Sequence, residues 1–331
     1  MNSQVDIPGV GIFIVPARLS YSLAARNPER WLPLATGEAR CGRFQTAGTT
    51  TVVKISETIT SPANPRVKQA ARLRSAAERR ETGLTLVDGI RELTRAAAAG
   101  VAIEAVFVAG DETGDVERTA ARDACLEACR SRGAAIVALA PRAFEKVAFG
   151  DRDEGLVGVV RFQPRSLADV AFPVGRPLLV AEAVEKPGNL GAILRTADAA
   201  GLAGVIACDS GTDVANPAVI RASLGTVFSV PLAVAAADEV IAWCREHRRR
   251  VVAATPEGTH PWHEVPLAGA TVIVVGSEAH GLSPAWHGAA LAKTITLETV
   301  SLPMRGIADS LNVSATAAVL AYEAVRQEGT P

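Results

Sequence analysis

The chain has 331 residues, enough for two domains of ordinary size. With 48% hydrophobic and 21% charged residues it supports a well-buried core, and a disordered chain is excluded. A net charge of -1 and 4% aromatic residues exclude a wholesale basic or base-stacking grip on nucleic acid, so any RNA contact has to come from local patches.

Residues 1–50 mix Pro, Gly and Arg without sustained periodicity and read as an extension with no assignable role. The only methionines are Met1 and Met304, so a later start would need a non-Met codon, at Val52 or Val53 for instance. A compact α/β unit is expected over 55–160. In it Asn64-Pro65 opens an Arg-rich helix, a short apolar run leads to Val87-Asp88-Gly89, and strands are expected at 103–108 and 135–139 around a helix at 116–132. Three prolines and little periodicity mark 164–177 as the linker.

From Pro177 onward the pattern alternates strand and helix. Charge-free apolar runs at 178–184, 204–207, 251–254 and 271–275 suit strands buried on both faces. Helices are expected between them, at 190–200, 217–224 and 235–250. The expectation is a parallel sheet with crossover helices, whose ligands bind outside the carboxyl ends of the strands.

Three segments fall at those ends. In Glu182 to Gly201, Pro187-Gly188 follows a strand, Asn189 suits a helix cap, and Leu190, Ile193, Leu194 and Ala197 form an apolar stripe. Arg195 lies off that stripe; alone it reads as a solvated arginine, and Asn189 as a simple cap. In Val275 to Pro284, glycines bracket Glu278 directly after a buried strand, and Gly276 permits close approach of a ligand to the backbone. The pattern is neither GxGxxG nor a Walker loop, and His280 reads as a solvated loop histidine. In the third, Pro303-Met304-Arg305-Gly306 precedes Ser310-Leu311-Asn312-Val313-Ser314, where Ser310 and Asn312 either start the last helix or donate into a site. Each segment is weak alone; their order and shared placement are not.

Together they resemble the three motifs of the SpoU (TrmH-type) RNA ribose methyltransferases of the SPOUT superfamily. The likeness runs from Pro177 to about Glu328 and includes Asn216-Pro217 with Arg221-Ala222-Ser223 and Gly225. More loosely, 55–160 resembles the small L30e-like substrate-binding domain of ribosomal-RNA members. The resemblance implies an α/β trefoil-knot domain over 177–328 with S-adenosylmethionine in the knot, and a homodimer whose last helix, 310–327, helps make the interface. It implies cofactor contacts from Thr255, Gly276, Leu302 and Leu311, and a catalytic set of Arg195, Asn189, Glu278, Ser310 and Asn312. Methyl transfer to a ribose 2′-hydroxyl follows, with 23S ribosomal RNA favoured over transfer RNA because of the extra domain. Arg195 would be the base or, since a guanidinium resists deprotonation, a clamp on the target phosphate.

For RNA capture, Arg66, Lys68, Arg72, Arg74, Arg79 and Arg80 stand against a single acid, Glu78. A solvated helix explains them equally well. The five cysteines, Cys41, Cys125, Cys129, Cys208 and Cys244, include no paired CxxC units, so reduced cytosolic thiols and no metal site are expected. No apolar run approaches the roughly 18 residues of a membrane span. The apolar stretch 8–16 lacks the basic residues that precede a signal sequence. A dehydrogenase lacks its glycine fingerprint here, whereas a non-catalytic RNA-binding dimer is the rival that turnover would decide.

Overall fold

The computed structural model describes residues 55–110, 116–149, 154–277 and 281–329. The extension 1–50 with Cys41, and the loop residues Glu278 and His280, lie outside them.

The first lobe runs β1 (Glu57–Ile59), α1 (Pro65–Arg72), α2 (Ala76–Thr82), β2 (Leu84–Asp88), α3 (Ile90–Ala98), β3 (Ile103–Ala109), α4 (Val116–Ser131), β4 (Ala135–Leu139), α5 (Pro141–Val147) and β5 (Leu156–Arg161). Its strands lie in the order β1-β4-β3-β5-β2, with β5 antiparallel to both neighbours. The expected Arg-rich helix is two helices. Asn64 caps α1, accepting from the Arg66 N–H at 2.9 Å, with Pro65 in the first turn. The chain then breaks at Leu73, restarts after Ser75, and ends α2 at Gly83, whose φ of 68° suits a glycine cap.

The second lobe follows the 164–177 segment, in which Val170 and Phe172 are buried and Leu167–Asp169 forms a 3-10 turn. Its elements are β6 (Leu178–Glu182), α6 (Pro187–Ala199), β7 (Gly204–Cys208), α7 (Pro217–Ala222), β8 (Leu232–Ala235), α8 (Ala237–Glu246), β9 (Arg250–Ala254), β10 (His260–Pro261), β11 (Thr271–Val275), α9 (Pro284–Leu291), β12 (Leu297–Ser301) and α10 (Val313–Glu328). The sheet order is β10-β12-β9-β11-β6-β7-β8, and every neighbouring pair is parallel. Helices α6, α7 and α10 pack into one hydrophobic cluster, and α8 and α9 into the other, so helices cover both faces.

Sequence periodicity missed β8, β12 and α9. Strand β12 is only half-buried apart from Val300 and carries Glu298, Thr299 and Ser301, so it is not the charge-free run of a central strand. Strand β6 stops at Glu182, two residues early, because Ala183 turns left-handed at φ 51°.

The two lobes share one hydrophobic cluster that runs from Val87 and Leu93 to Leu190, Val219 and Val227. Polar links reinforce it. The Thr85 hydroxyl donates to the Ala215 carbonyl at 2.6 Å, the Arg95 guanidinium donates to the Leu224 carbonyl at 2.9 Å, and Arg221 pairs with Asp88. No helix among the described residues is long and apolar enough to cross a membrane.

Candidate methyl-transfer site

The strand order reverses around β6, β11 and β9. Strands β6, β7 and β8 step outward on one side, while β9 and β12 lie on the other. A parallel sheet opens a crevice at the carboxyl ends beside such a switch. The loops after β9, β11 and β12 converge there on a cavity of about 440 Å³.

Thr255, Gly276, Leu302, Ser310 and Leu311 all line it, although they come from three separate segments. Val275, Leu302, Met304 and Leu311 contribute apolar lining, and Thr255, Ser301, Asp309, Ser310 and Thr316 polar lining. A Cβ on Gly276 would sit 2.5 Å from the Gly281 carbonyl oxygen, so no larger residue fits while that loop stays closed. Ser277 and Gly281 exchange backbone hydrogen bonds of 3.1 and 2.9 Å. Glu182 secures the far end of the loop: its buried carboxylate accepts from Trp286 Nε1 at 2.9 Å and from the Ser283 N–H at 3.1 Å.

A smaller cavity of about 120 Å³ adjoins the first, bordered by Val184, Lys186 and Asn189. Ser277 and Val313 line both. The helix cap of α6 is Lys186 and not Asn189, because Pro187 takes the first helical position and Asn189 falls inside the first turn. Its side chain is thereby released from capping, and its Oδ1 accepts from Asn312 Nδ2 at 3.1 Å. Asn312 is the true cap of α10; its Oδ1 accepts from the Ser314 N–H at 2.9 Å and the Ser314 hydroxyl at 2.6 Å.

Arg195 is exposed on α6 and lines neither cavity. At six residues beyond Asn189 it lies roughly 9 Å along the helix and on a different face. Thus Asn189, Ser310 and Asn312 gather at the site, Arg195 does not face it within one chain, and Glu278 lies outside the described residues. Sequence reasoning passed over Ser277 and Val313, which touch both cavities, although each stands inside one of the motifs.

The basic patch needs a correction. Arg66 is buried and paired with Glu57 at 2.6 Å. Arg79 is buried, pairs with Asp213 at 2.8 Å and donates to the Leu73 and Arg74 carbonyls at 3.0 and 2.8 Å. The break after α1 turns this side chain inward, where it ties the two lobes together. Lys68, Arg72, Arg74 and Arg80 stay exposed, with Arg74 donating to the Ala148 carbonyl.

Glu182, Cys208 and Asp209 bring potential metal-ligand atoms within 4.8 Å of one another. The Glu182 oxygens are taken by α9, Asp209 accepts from the Ala237 N–H at 3.1 Å, and burial pushes the Cys208 thiol well above its usual range. Both carboxylates are thus committed to holding the starts of α8 and α9. Cys125 and Cys129 are both buried, and the contact between them together with burial keeps Cys129 protonated.

Comparison with known proteins agrees with this architecture. Residues 176–322 match the model of the SpoU rRNA methylase family, and residues 64–158 match the MRM3-like substrate-binding domain. A 23S rRNA (adenosine(1067)-2′-O)-methyltransferase of Streptomyces laurentii is 32% identical over 249 residues, covering 73% of this chain and 86% of the relative. A crystal structure of an RNA 2′-O ribose methyltransferase superposes with a TM-score of 0.68 at 36% identity, over 82% of this chain and 99% of that one. An AdoMet-bound rRNA methyltransferase from Sinorhizobium meliloti gives a TM-score of 0.70 at 26% identity, over 83% and 98% of the two chains. With both lobes matched in order and a relative above 30% identity spanning most of both chains, this chain belongs to the SpoU rRNA methylase family.

Proposed function

We propose that the chain transfers a methyl group from S-adenosylmethionine to a ribose 2′-hydroxyl of 23S ribosomal RNA. The observation that carries this reading is the convergence of three separate loops on one cavity beside the Asn189–Asn312 pair. The lining suits the cofactor: apolar side chains such as Val275 and Leu302 for its adenine, and Asp309, Ser310 and Thr255 for its polar ends. S-adenosylmethionine supplies a methyl group already activated on sulfur, so the chain has to align and to exclude water, which is worth roughly 7–11 kcal/mol.

With the cofactor bound, the ribose oxygen would take the methyl group while the C–S electron pair stays on the departing S-adenosylhomocysteine, and the hydroxyl proton would pass to Arg195 as base or, with Arg195 kept as a cation, to solvent. Asn189 and Asn312, hydrogen-bonded to each other, hold the first turn of α6 and the start of α10 together beside the cavity, and Ser310 adds a hydroxyl. Arg195 acts as that base, or it clamps the target phosphate and stabilises the developing oxyanion; it reaches the site when RNA or a second copy covers α6. A homodimer belongs to this reading, because Ile307, Leu311 and Tyr322 leave large apolar groups exposed on the last loop and α10. So does a knotted passage of the chain through 302–312. Relatives acting on 23S rRNA, and the substrate-binding lobe, favour ribosomal over transfer RNA.

Radiolabelled S-adenosylmethionine with unmodified transcripts of 23S rRNA and transfer RNA tests the reading. Label in 23S rRNA as a 2′-O-methyl nucleotide, lost in Arg195→Ala while cofactor binding survives, is the expected result. Near-normal turnover by Arg195→Ala would remove both roles of that residue. Label confined to transfer RNA would overturn the substrate.

A further inference from the structure

The amino end of the seven-stranded sheet holds another cavity, of about 590 Å³. It lies where α8 and α9 end and where β9 and β12 begin. Those strands run five residues each to the first cavity, which places the two roughly 17 Å apart at about 3.3 Å per residue.

Five cations line it: Arg245, Arg248, Arg249, Arg250 and Lys293, with hydroxyls from Thr294 and Thr296, and the lining includes no carboxylate. In a chain of net charge -1 this is a strong local excess. The carbonyl end of α8 accounts for Arg245 in its last turn, but Arg248 and Lys293 lie beyond their helices. None of Arg245, Arg248 and Lys293 forms an ion pair among the described residues, and all three are exposed. Arg250 reaches Glu298 only at 3.9 Å. Arg249 is buried; its guanidinium donates to the Arg176 and Pro173 carbonyls at 3.3 and 3.4 Å and sits 5.5 Å from the Trp243 ring centre.

Two of the cations also occupy strained backbone. Arg248 has φ 49° and Lys293 φ 55°, the left-handed region where glycine would be easier. Long basic side chains kept there, facing one cavity from two different helix ends, mark a place where charge outweighs local comfort.

We infer that this cavity binds phosphodiester groups of the substrate RNA, as a second backbone contact at the end of the catalytic lobe opposite the methyl-transfer cavity. The inference rests on the RNA reading of the main site. A separation of roughly 17 Å is about half a helical turn of a duplex, so one folded RNA element can touch both. Contacts of this kind give affinity and register but no sequence choice.

The test is the triple variant Arg245→Ala, Arg248→Gly, Lys293→Gly. Glycine relaxes both strained positions, so thermal stability should hold or rise. S-adenosylmethionine affinity and kcat at saturating RNA should be unchanged, while KM for the 23S transcript rises about tenfold. The slope of log affinity against log salt should shrink by about 3, at roughly 0.9 for each duplex phosphate no longer held. Unchanged RNA affinity and salt slope would overturn the inference. Tripolyphosphate bound by the parent protein and not by the variant, with RNA affinity unmoved, would reassign the cavity to small polyanions and overturn it equally. RNA binding followed by fluorescence anisotropy reads this site even if neither protein transfers a methyl group, so the two readings fail separately. The Arg248→Gly, Lys293→Gly pair repeats the test should the triple variant fold poorly.

Discussion

Asn189, inside the first turn of α6, accepts a hydrogen bond at 3.1 Å from Asn312, the residue that caps α10. One amide thus serves two ends: its oxygen holds the helix start and its nitrogen holds the site. Asn312→Ala should lose the cap at a cost of about 1 kcal/mol together with most methyl transfer. Asn312→Ser should keep the cap, and so the melting temperature, while turnover still falls more than tenfold. Equal losses of stability and activity in both variants, read by thermal melts and single-turnover rates, would reduce Asn312 to a cap.

Gly276 is boxed in by the Gly281 carbonyl, 2.5 Å from where a Cβ would lie. Gly276→Ala must break the pairing of Ser277 with Gly281, two residues that line the main cavity. S-adenosylmethionine affinity by calorimetry should drop by tenfold or more, with the far-ultraviolet circular dichroism of the parent retained. Parent-like affinity would detach this loop from the cofactor.

Arg79 and the exposed cations of the same stretch should separate cleanly. Arg79→Ala strands Asp213, whose side chain is only 19% exposed, and should destabilise the protein by about 3 kcal/mol in a urea titration. Replacing Lys68, Arg72 and Arg80 with Ala should leave stability within about 0.5 kcal/mol and weaken RNA binding at low salt. Loss of stability from the exposed set alone would reverse this assignment.

Asp88 carries a pH signature. Burial pushes its carboxyl from the ordinary 3.8 up to about 6, against the pull of Arg221. A carboxyl that binds its proton more tightly when folded stabilises the fold fully at low pH and loses that contribution as pH rises through the folded value. The stability of the parent relative to Asp88→Asn should therefore decline between about pH 4 and pH 6. The decline should be on the order of 2–3 kcal/mol and flatten above that window, at about 1.4 kcal/mol per pH unit. A difference that does not vary across the window would show that Arg221 cancels the burial.

Local chemistry made several elements legible. The charge-free run 271–275 is β11 to the residue, and 135–139 is β4, because strands shielded on both faces exclude charged side chains. Asn64-Pro65 and Asn216-Pro217 do start helices, since a side-chain cap followed by a preset φ is a local device. Strand β12 and the break after α1 were not legible, because a half-buried strand with three polar residues and a three-residue interruption leave no periodic trace.

The sequence by itself determined the parallel-sheet class, the order of the motifs and the residue types of the site. It did so because helix and strand periods, caps and turns depend on neighbours within a few positions. Only the tertiary structure decided what each charge does. It buried Arg66 and Arg79 in ion pairs, joined Asn189 to Asn312 across the fold, left Arg195 outside its own cavity and gathered five cations at the sheet's other end. The physical reason is that the free energy of a charge depends on its distance to partners and to water, and chain connectivity specifies neither until strands far apart in sequence are paired.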